Sequence, residues 1–221
     1  MNVRFVVFMA VGATALWQLA HDWRLRPLHP ADGIIAPDEP LQTSEDTQRP
    51  LVHGRWELTP RARYEITARI LSREDYRFDR VSDLVPEDLA LGWGPMSDNR
   101  ILRDFEISQS ARFFSWRPRG TLPIPRQTVI EHSANTHVIP ADAVVAAELA
   151  RLRVGQVVHL TGLLVDGKRD DGAFIKTSLT RSDTGAGACE IMLVEGVEVE
   201  EPDARWQSVQ ITARDRSRRP P

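Results

Sequence analysis

Ala141-Asp-Ala-Val-Val-Ala-Ala-Glu-Leu-Ala-Arg-Leu-Arg153, then Val154-Gly155, then Gln156-Val-Val-His-Leu-Thr-Gly-Leu-Leu-Val165 is the stretch on which the fold turns. Val145, Leu149 and Leu152 recur on one face at helical spacing. Asp142 sits in the first turn, Arg151 and Arg153 at the negative end, and Gly155 follows as a stop. The spacing predicts a helix over 141–153 and a strand over 156–165. Downstream, the polar run Asp166–Gly172 suits a hairpin connection, and strands follow over 174–180 and 189–199.

Upstream, the domain opens near Trp56. Tyr64, Ile66, Ala68 and Ile70 alternate with Glu65, Thr67 and Arg69, the period of a half-buried strand. Pro86 to Leu91 reads as a short helix, with Glu87 and Asp88 at its positive start and Gly92 and Gly94 ending it. Ser97 is read as the cap of a second short helix carrying Ile101, Leu102 and Phe105. Ile107–Trp116 and Thr128–Ile139 read as strands. The order is strands, one main helix, then hairpin-paired strands. That predicts a mixed, β-rich (α+β) domain. Its two forms are an OB-like small β-barrel, which carries a helix between its third and fourth strands, and a curved antiparallel sheet with the helix on one face.

The N-terminus is a separate signal. Phe5 to Ala20 is apolar apart from Gly12, Thr14 and Gln18, behind a short tail with Arg4. A spanning helix needs about 20 apolar residues, and a cleaved signal peptide has an apolar core of about 7–15 with a small-residue cleavage site. Val3–Ala20 fits the anchor better. Trp17 and Trp23 lie where an interfacial belt falls. The expectation is therefore an inner-membrane, single-pass protein with its soluble domain in the periplasm, or an exported soluble form if the segment is cleaved. The reading divides the chain into a membrane segment (1–23), a Pro-rich linker (24–53), one β-rich domain (54–200) and a polar, basic tail (201–221). Pro27, Pro30, Pro37, Pro40 and Pro50 give the linker the look of an extended stalk.

Composition narrows the function classes. The chain has 221 residues, 28 basic and 31 acidic, for a formal charge of −3. Nucleic-acid binding wants a basic face, so no nucleic acid is expected. A single cysteine, Cys189, excludes an internal disulfide and a cysteine-based metal cage. No metal and no cofactor is expected.

Four blocks carry a resemblance: Asp88-Leu-Ala-Leu-Gly-Trp-Gly94, Ile107-Ser-Gln-Ser-Ala-Arg-Phe113, His132-Ser-Ala-Asn-Thr-His-Val-Ile-Pro-Ala-Asp142 and Ser178-Leu-Thr-Arg-Ser-Asp-Thr-Gly-Ala-Gly-Ala-Cys-Glu190. Together they resemble a family of uncharacterised proteobacterial proteins with an N-terminal hydrophobic anchor, a Pro-containing linker and one soluble domain. The resemblance spans roughly residues 54–199. It implies an envelope address and one domain, and brings no chemistry.

The candidate catalytic residues are His137, His132, Asp183 and Cys189. An odd spacing puts His132 and His137 on opposite faces of a strand, which makes them poor partners for one metal. Their bland reading is a hydrogen-bonded turn leading into the helix. Asn135 shares the face of His137. Asp183-Thr-Gly-Ala186 resembles the aspartic-protease motif, but one copy would require a homodimer, and a tight glycine turn explains it as well. Gly185-Ala-Gly187 lacks the helix start that a phosphate cradle wants. Cys189 alternates with Ile191 and Leu193, the pattern of a core face. Its catalytic reading needs a histidine nearby. The candidate ligand-binding residues are Trp93, Arg112, Phe114, Trp116, Asn135 and Arg181, either as an aromatic and basic platform or as packing. Without a complete catalytic motif, the sequence favours a membrane-tethered envelope binding or assembly module with an envelope protein or glycan partner over an enzyme. The alternative is an envelope hydrolase using His132 or His137 with Asp183 or Cys189.

Overall fold

The computed structural model describes residues 25–44, 49–180 and 188–200, together with Gly12. The rest of the N-terminal segment, Arg181, Asp183, Gly185, Gly187 and the basic tail lie outside the described residues. No helix among the described residues is long and apolar enough to cross a membrane.

The chain is β-rich with a large mixed sheet. Its strands are β1 (Leu41–Ser44), β2 (Leu51–His53), β3 (Trp56–Asp75), β4 (Glu87–Gly92), β5 (Phe105–Ser110), β6 (Phe113–Pro118), β7 (Ser133–Pro140), β8 (Val157–Arg169), β9 (Phe174–Ile175) and β10 (Glu190–Glu200). The described α-helices are short: α1 (Asn99–Leu102), α2 (Arg126–Glu131) and α3 (Ala143–Leu149). Pairing runs from β3 to β4, β7, β10 and β8, and β8 pairs again with β3. All these pairs are antiparallel except β7–β10, which is parallel. β1 and β2 also pair with β3, and β9 with β8. β5 and β6 form a separate hairpin.

β3 alternates buried and exposed residues along most of its 20 positions, as its sequence period predicts. Register shifts interrupt the ladders between Pro60 and Ala62, Ile70 and Ser72, and Val194 and Gly196. Such bulges bend and twist a strand, and the first lets Pro60 sit in β3. Tyr64, Ile66, Leu91, Trp93, Val138 and Met192 belong to one buried cluster on the inner face. Trp56, Leu84, Ile139, Leu163 and Ile191 form a second cluster on the outer face. The β5–β6 hairpin packs Phe114 and Trp116 against a third, built on Leu71, Ala90, Met96, Phe105 and Val129.

The main helix forms where its signals stand, but it is shorter than 141–153. Asp142 caps it by accepting from the amides of Val144 and Val145, and Leu152 is buried beyond its end. Gly155, at φ +92°, turns the chain back toward β8. Four sequence readings change. Pro86–Leu91 is not helical: β4 is buried at every position between β3 and β7, so it lacks an alternating period. The cap of α1 is Asp98, while Ser97 Oγ accepts from the amides of Ile35 and Ala36. Ile107–Trp116 is a hairpin rather than one strand, turning at Ala111 and Arg112. Thr128–Glu131 is helical, and the strand begins only at Ser133.

The Pro-rich segment is irregular before Leu41 but carries β1 and β2 beyond it, and it is docked on the domain. Leu28 N–H donates to the Val154 carbonyl, Gly33 N–H to Asp98, and Ala36 is fully buried. The apolar run Ile34-Ile35-Ala36 explains the docking: Ile35 and Ala36 reach the core that the stalk reading left them outside.

Candidate functional site

The outer face of β4, β7 and β10 assembles the site through strand register. Asp88 is opposite His137 in the antiparallel β4–β7 pair, and Ile191 is opposite His137 in the parallel β7–β10 pair. Directly paired residues point to the same side of a sheet, and so do residues two apart on one strand. Register therefore puts Asp88, His137 and Ile191 on one face, with Asn135 joining them along β7 and Cys189 lying just before β10.

Asp88 is fully buried. Its Oδ1 accepts from His137 Nδ1 at 2.8 Å and from Arg112 Nη1 at 2.9 Å. Cys189 lines the same cleft as His137 and is close enough to act on its charge. Burial works against the imidazolium, but Asp88 and Cys189 outweigh it and push His137 up to about 9. Asn135 donates from Nδ2 to the Arg112 carbonyl at 3.0 Å and stands 3.6 Å from Cys189 Sγ, while its Oδ1 accepts from Gln109 at 2.7 Å. Asp88, His137 and Cys189 thus gather at one place, with the carboxylate in the interior and the imidazole and thiol in the cleft lining.

Arg112 locks this line from the side. It occupies the β5–β6 turn at φ 71°, beside Ala111 at φ 51°. Positive φ at both central turn residues matches strand twist in tight hairpins but favours Gly or Asn. Arg112 tolerates it because the side chain is tied down. Nε donates to Asp79, Nη1 to Asp88 and Nη2 to the Val85 carbonyl, and the guanidinium stacks 3.7 Å over the Tyr76 ring. Its amide donates to the Tyr76 hydroxyl.

Two clefts meet at Cys189. One, of about 440 Å³, is lined by Val81 and Val85 from the β3–β4 connection, Phe174 and Lys176 from the β8–β10 connection, and His137 and Cys189. The other, of about 210 Å³, has Phe114, Trp116, Arg126, Asn135 and Cys189 in its walls. Phe113 borders both and is 51% exposed. Arg126 lies 5.2 Å from the Trp116 ring centroid.

The candidates separate accordingly. His137, Cys189, Asn135, Arg112, Phe114 and Trp116 come together around these clefts. His132 does not join them: Nδ1 donates to the Thr128 carbonyl and Nε2 lies 3.3 Å from Glu39. Trp93 is 1% exposed, and its Nε1 donates to Glu39, so it is core packing rather than a stacking platform. Arg112 contributes through its fixed contacts. Cys189 is half-buried at the cleft rim, unlike the buried Ile191 and Leu193 with which it alternates. Asp88, Lys176 and Phe174 were missed. Asp88 stands before the apolar run Leu89-Ala-Leu91, where a carboxylate needs a partner; that was its available signal. Among the described residues, no group of three or more His, Cys, Asp or Glu side chains is placed to hold a metal ion.

Compared with protein families, curated proteins and solved structures, the chain matches none.

Proposed function

We propose that the chain is a membrane-tethered binding module of the cell envelope, built on an OB-like barrel. The strand order β3-β4-β7-β10-β8 with return to β3, the parallel β7–β10 pair and a helix between β7 and β8 support the barrel reading. The observation that carries the function is where the larger cleft lies. Barrels of this type bind ligands over their second and third strands, between the loops joining strands one to two and four to five. Here those loops are the β3–β4 and β8–β10 connections, and both line the cleft. Val81, Val85, Phe174 and Ile175 make its walls largely apolar, and Lys176 joins Arg112 and His137 as basic groups in the lining. The ligand that fits bears an apolar chain and an electron-rich polar head. That chemistry favours an acylated or apolar envelope partner over a glycan.

The test is photo-crosslinking in cells, with a benzophenone residue at Phe174 or Phe113 and, as control, at the distant exposed Val144. A discrete adduct at the cleft positions, lost in Lys176→Glu, is expected. Equal labelling at Val144, or adducts only to polysaccharide, would sink the reading.

A further inference from the structure

We propose that Cys189 is the nucleophile of an acyl-transfer site in this cleft, acting on esters or thioesters of apolar acyl chains, with His137 carrying the proton and Asp88 as positioning residue. The inference rests on the cleft being the ligand site. Three features carry it. The thiol, the imidazole and the carboxylate come from separate segments of the chain and are brought together by register, so the alignment belongs to the sheet. Asp88 holds Nδ1, which leaves Nε2 as the remaining ring nitrogen for the thiol or the leaving group. Cys189 stands at the meeting point of an apolar cleft and a more polar one, where an acyl chain and its leaving group would part.

The step balances with water alone. With His137 in its neutral form, which gains population as pH rises toward about 9, the thiol sulfur bonds to the acyl carbonyl carbon and the thiol proton passes to Nε2 of the imidazole. The carbon–oxygen or carbon–sulfur bond to the leaving group breaks, and His137 delivers the proton to that alcohol or thiol. A water then attacks the resulting thioester, passing its proton through His137 to the departing Cys189 sulfur, and the carboxylic acid is released. Asn135 Nδ2, 3.6 Å from Sγ, is placed to donate to the carbonyl oxygen as it gains charge.

The experiment uses the full chain with p-nitrophenyl butyrate, followed by nitrophenol release and intact-protein mass spectrometry. A burst with a butyryl thioester on Cys189 is expected. Cys189→Ala should abolish the adduct, and His137→Gln should slow it by about 10²-fold or more at unchanged melting temperature. Asp88→Asn should alter the pH profile of acylation, which a purely structural partner would leave in place. The groups that shape that profile are Asp88 beside His137, Arg112, Lys176 and Cys189 in the same cleft lining, and Asp79 through its pairing with Arg112. Acylation on Lys176 instead, no adduct on the folded protein, or an unchanged rate in His137→Gln overturns the proposal. Dodecanoate binding to Cys189→Ala, measured by calorimetry, separates the two readings. If dodecanoate binds while wild type forms no adduct, the chemistry falls and the binding site stands; if it does not bind, both fall.

Discussion

Replacing Arg112 by alanine removes three charge-assisted hydrogen bonds and the ring stack at once, and leaves Asp88 buried with His137 alone. The Arg112 side chain is 16% exposed and that of Asp88 is 0% exposed, so the Arg112–Asp88 pair is shielded from solvent. Breaking a buried pair by deleting one partner costs about 3–5 kcal/mol when the survivor is stranded, and the His137 imidazolium that still donates to Asp88 keeps this case at the lower end, about 3 kcal/mol. At about 2–4 °C per kcal/mol for a chain of this size, the melting temperature should fall by roughly 6–12 °C. Glycine at the same position offers an internal control. It loses the same contacts but adopts φ 71° freely, whereas alanine keeps the steric penalty of a left-handed residue, about 1–2 kcal/mol. Arg112→Gly should therefore melt above Arg112→Ala, although glycine normally destabilises a hairpin strand. Thermal melts by circular dichroism, with urea midpoints as a second measure, read both effects. A fall under about 3 °C for Arg112→Ala, or Arg112→Gly melting below it, would refute the idea that the side chain holds a strained turn in place.

Two further outcomes are expected. His137, raised from 6.5 to about 9, contributes stability that is fully present below about 6.5 and is lost as pH rises through 9. Glu87, which burial raises from 4.5 to about 8 against the pull of Arg73, adds the same sign over a lower window. Urea midpoints should thus decline from about pH 5 to pH 9, and His137→Gln should flatten the upper part of the decline; an unchanged slope there removes the Asp88–His137 pairing as its source. For the proposed membrane address, alkaline phosphatase fused after residue 54 should be active, and a cytoplasmic reporter at the same site inactive; the reverse pattern would invert the topology.

The sequence was most readable where local chemistry and burial agree. Asp142 and the Val145–Leu149 face announce the helix and its start, though not its early end at Leu149, and the alternation at 64–70 announces β3. Reading failed where tertiary burial replaces period. β4 is covered on both faces, and Pro86-Glu87-Asp88 then imitates a helix start. The Ala111–Arg112 turn carries neither Gly nor Asn, so nothing local marks it; its conformation is imposed by Tyr76, Asp79, Val85 and Asp88, far away in sequence. The proximity of His137 and Cys189 depends on the parallel register of β7 and β10, which no local signal encodes. The docking of the Pro-rich segment is carried by Ile35 and Ala36, whose short apolar run is masked by the prolines around it.

The parallel pairing has a consequence for biosynthesis. β10 is the last described strand to be made, yet it is the one that bridges β7 to β8. Until residues 190–200 have emerged, β7 and β8 each present an open edge of unpaired amides and carbonyls, and the buried positions of β10 that complete the core are absent. Open apolar edges recruit other chains. A nascent chain of this sequence would therefore expose those edges until residues 190–200 have emerged. Truncations just before Glu190 should yield aggregates rather than a smaller folded domain. The same lateness means that Cys189, one residue before β10, meets His137 only after the rest of the sheet has been laid down.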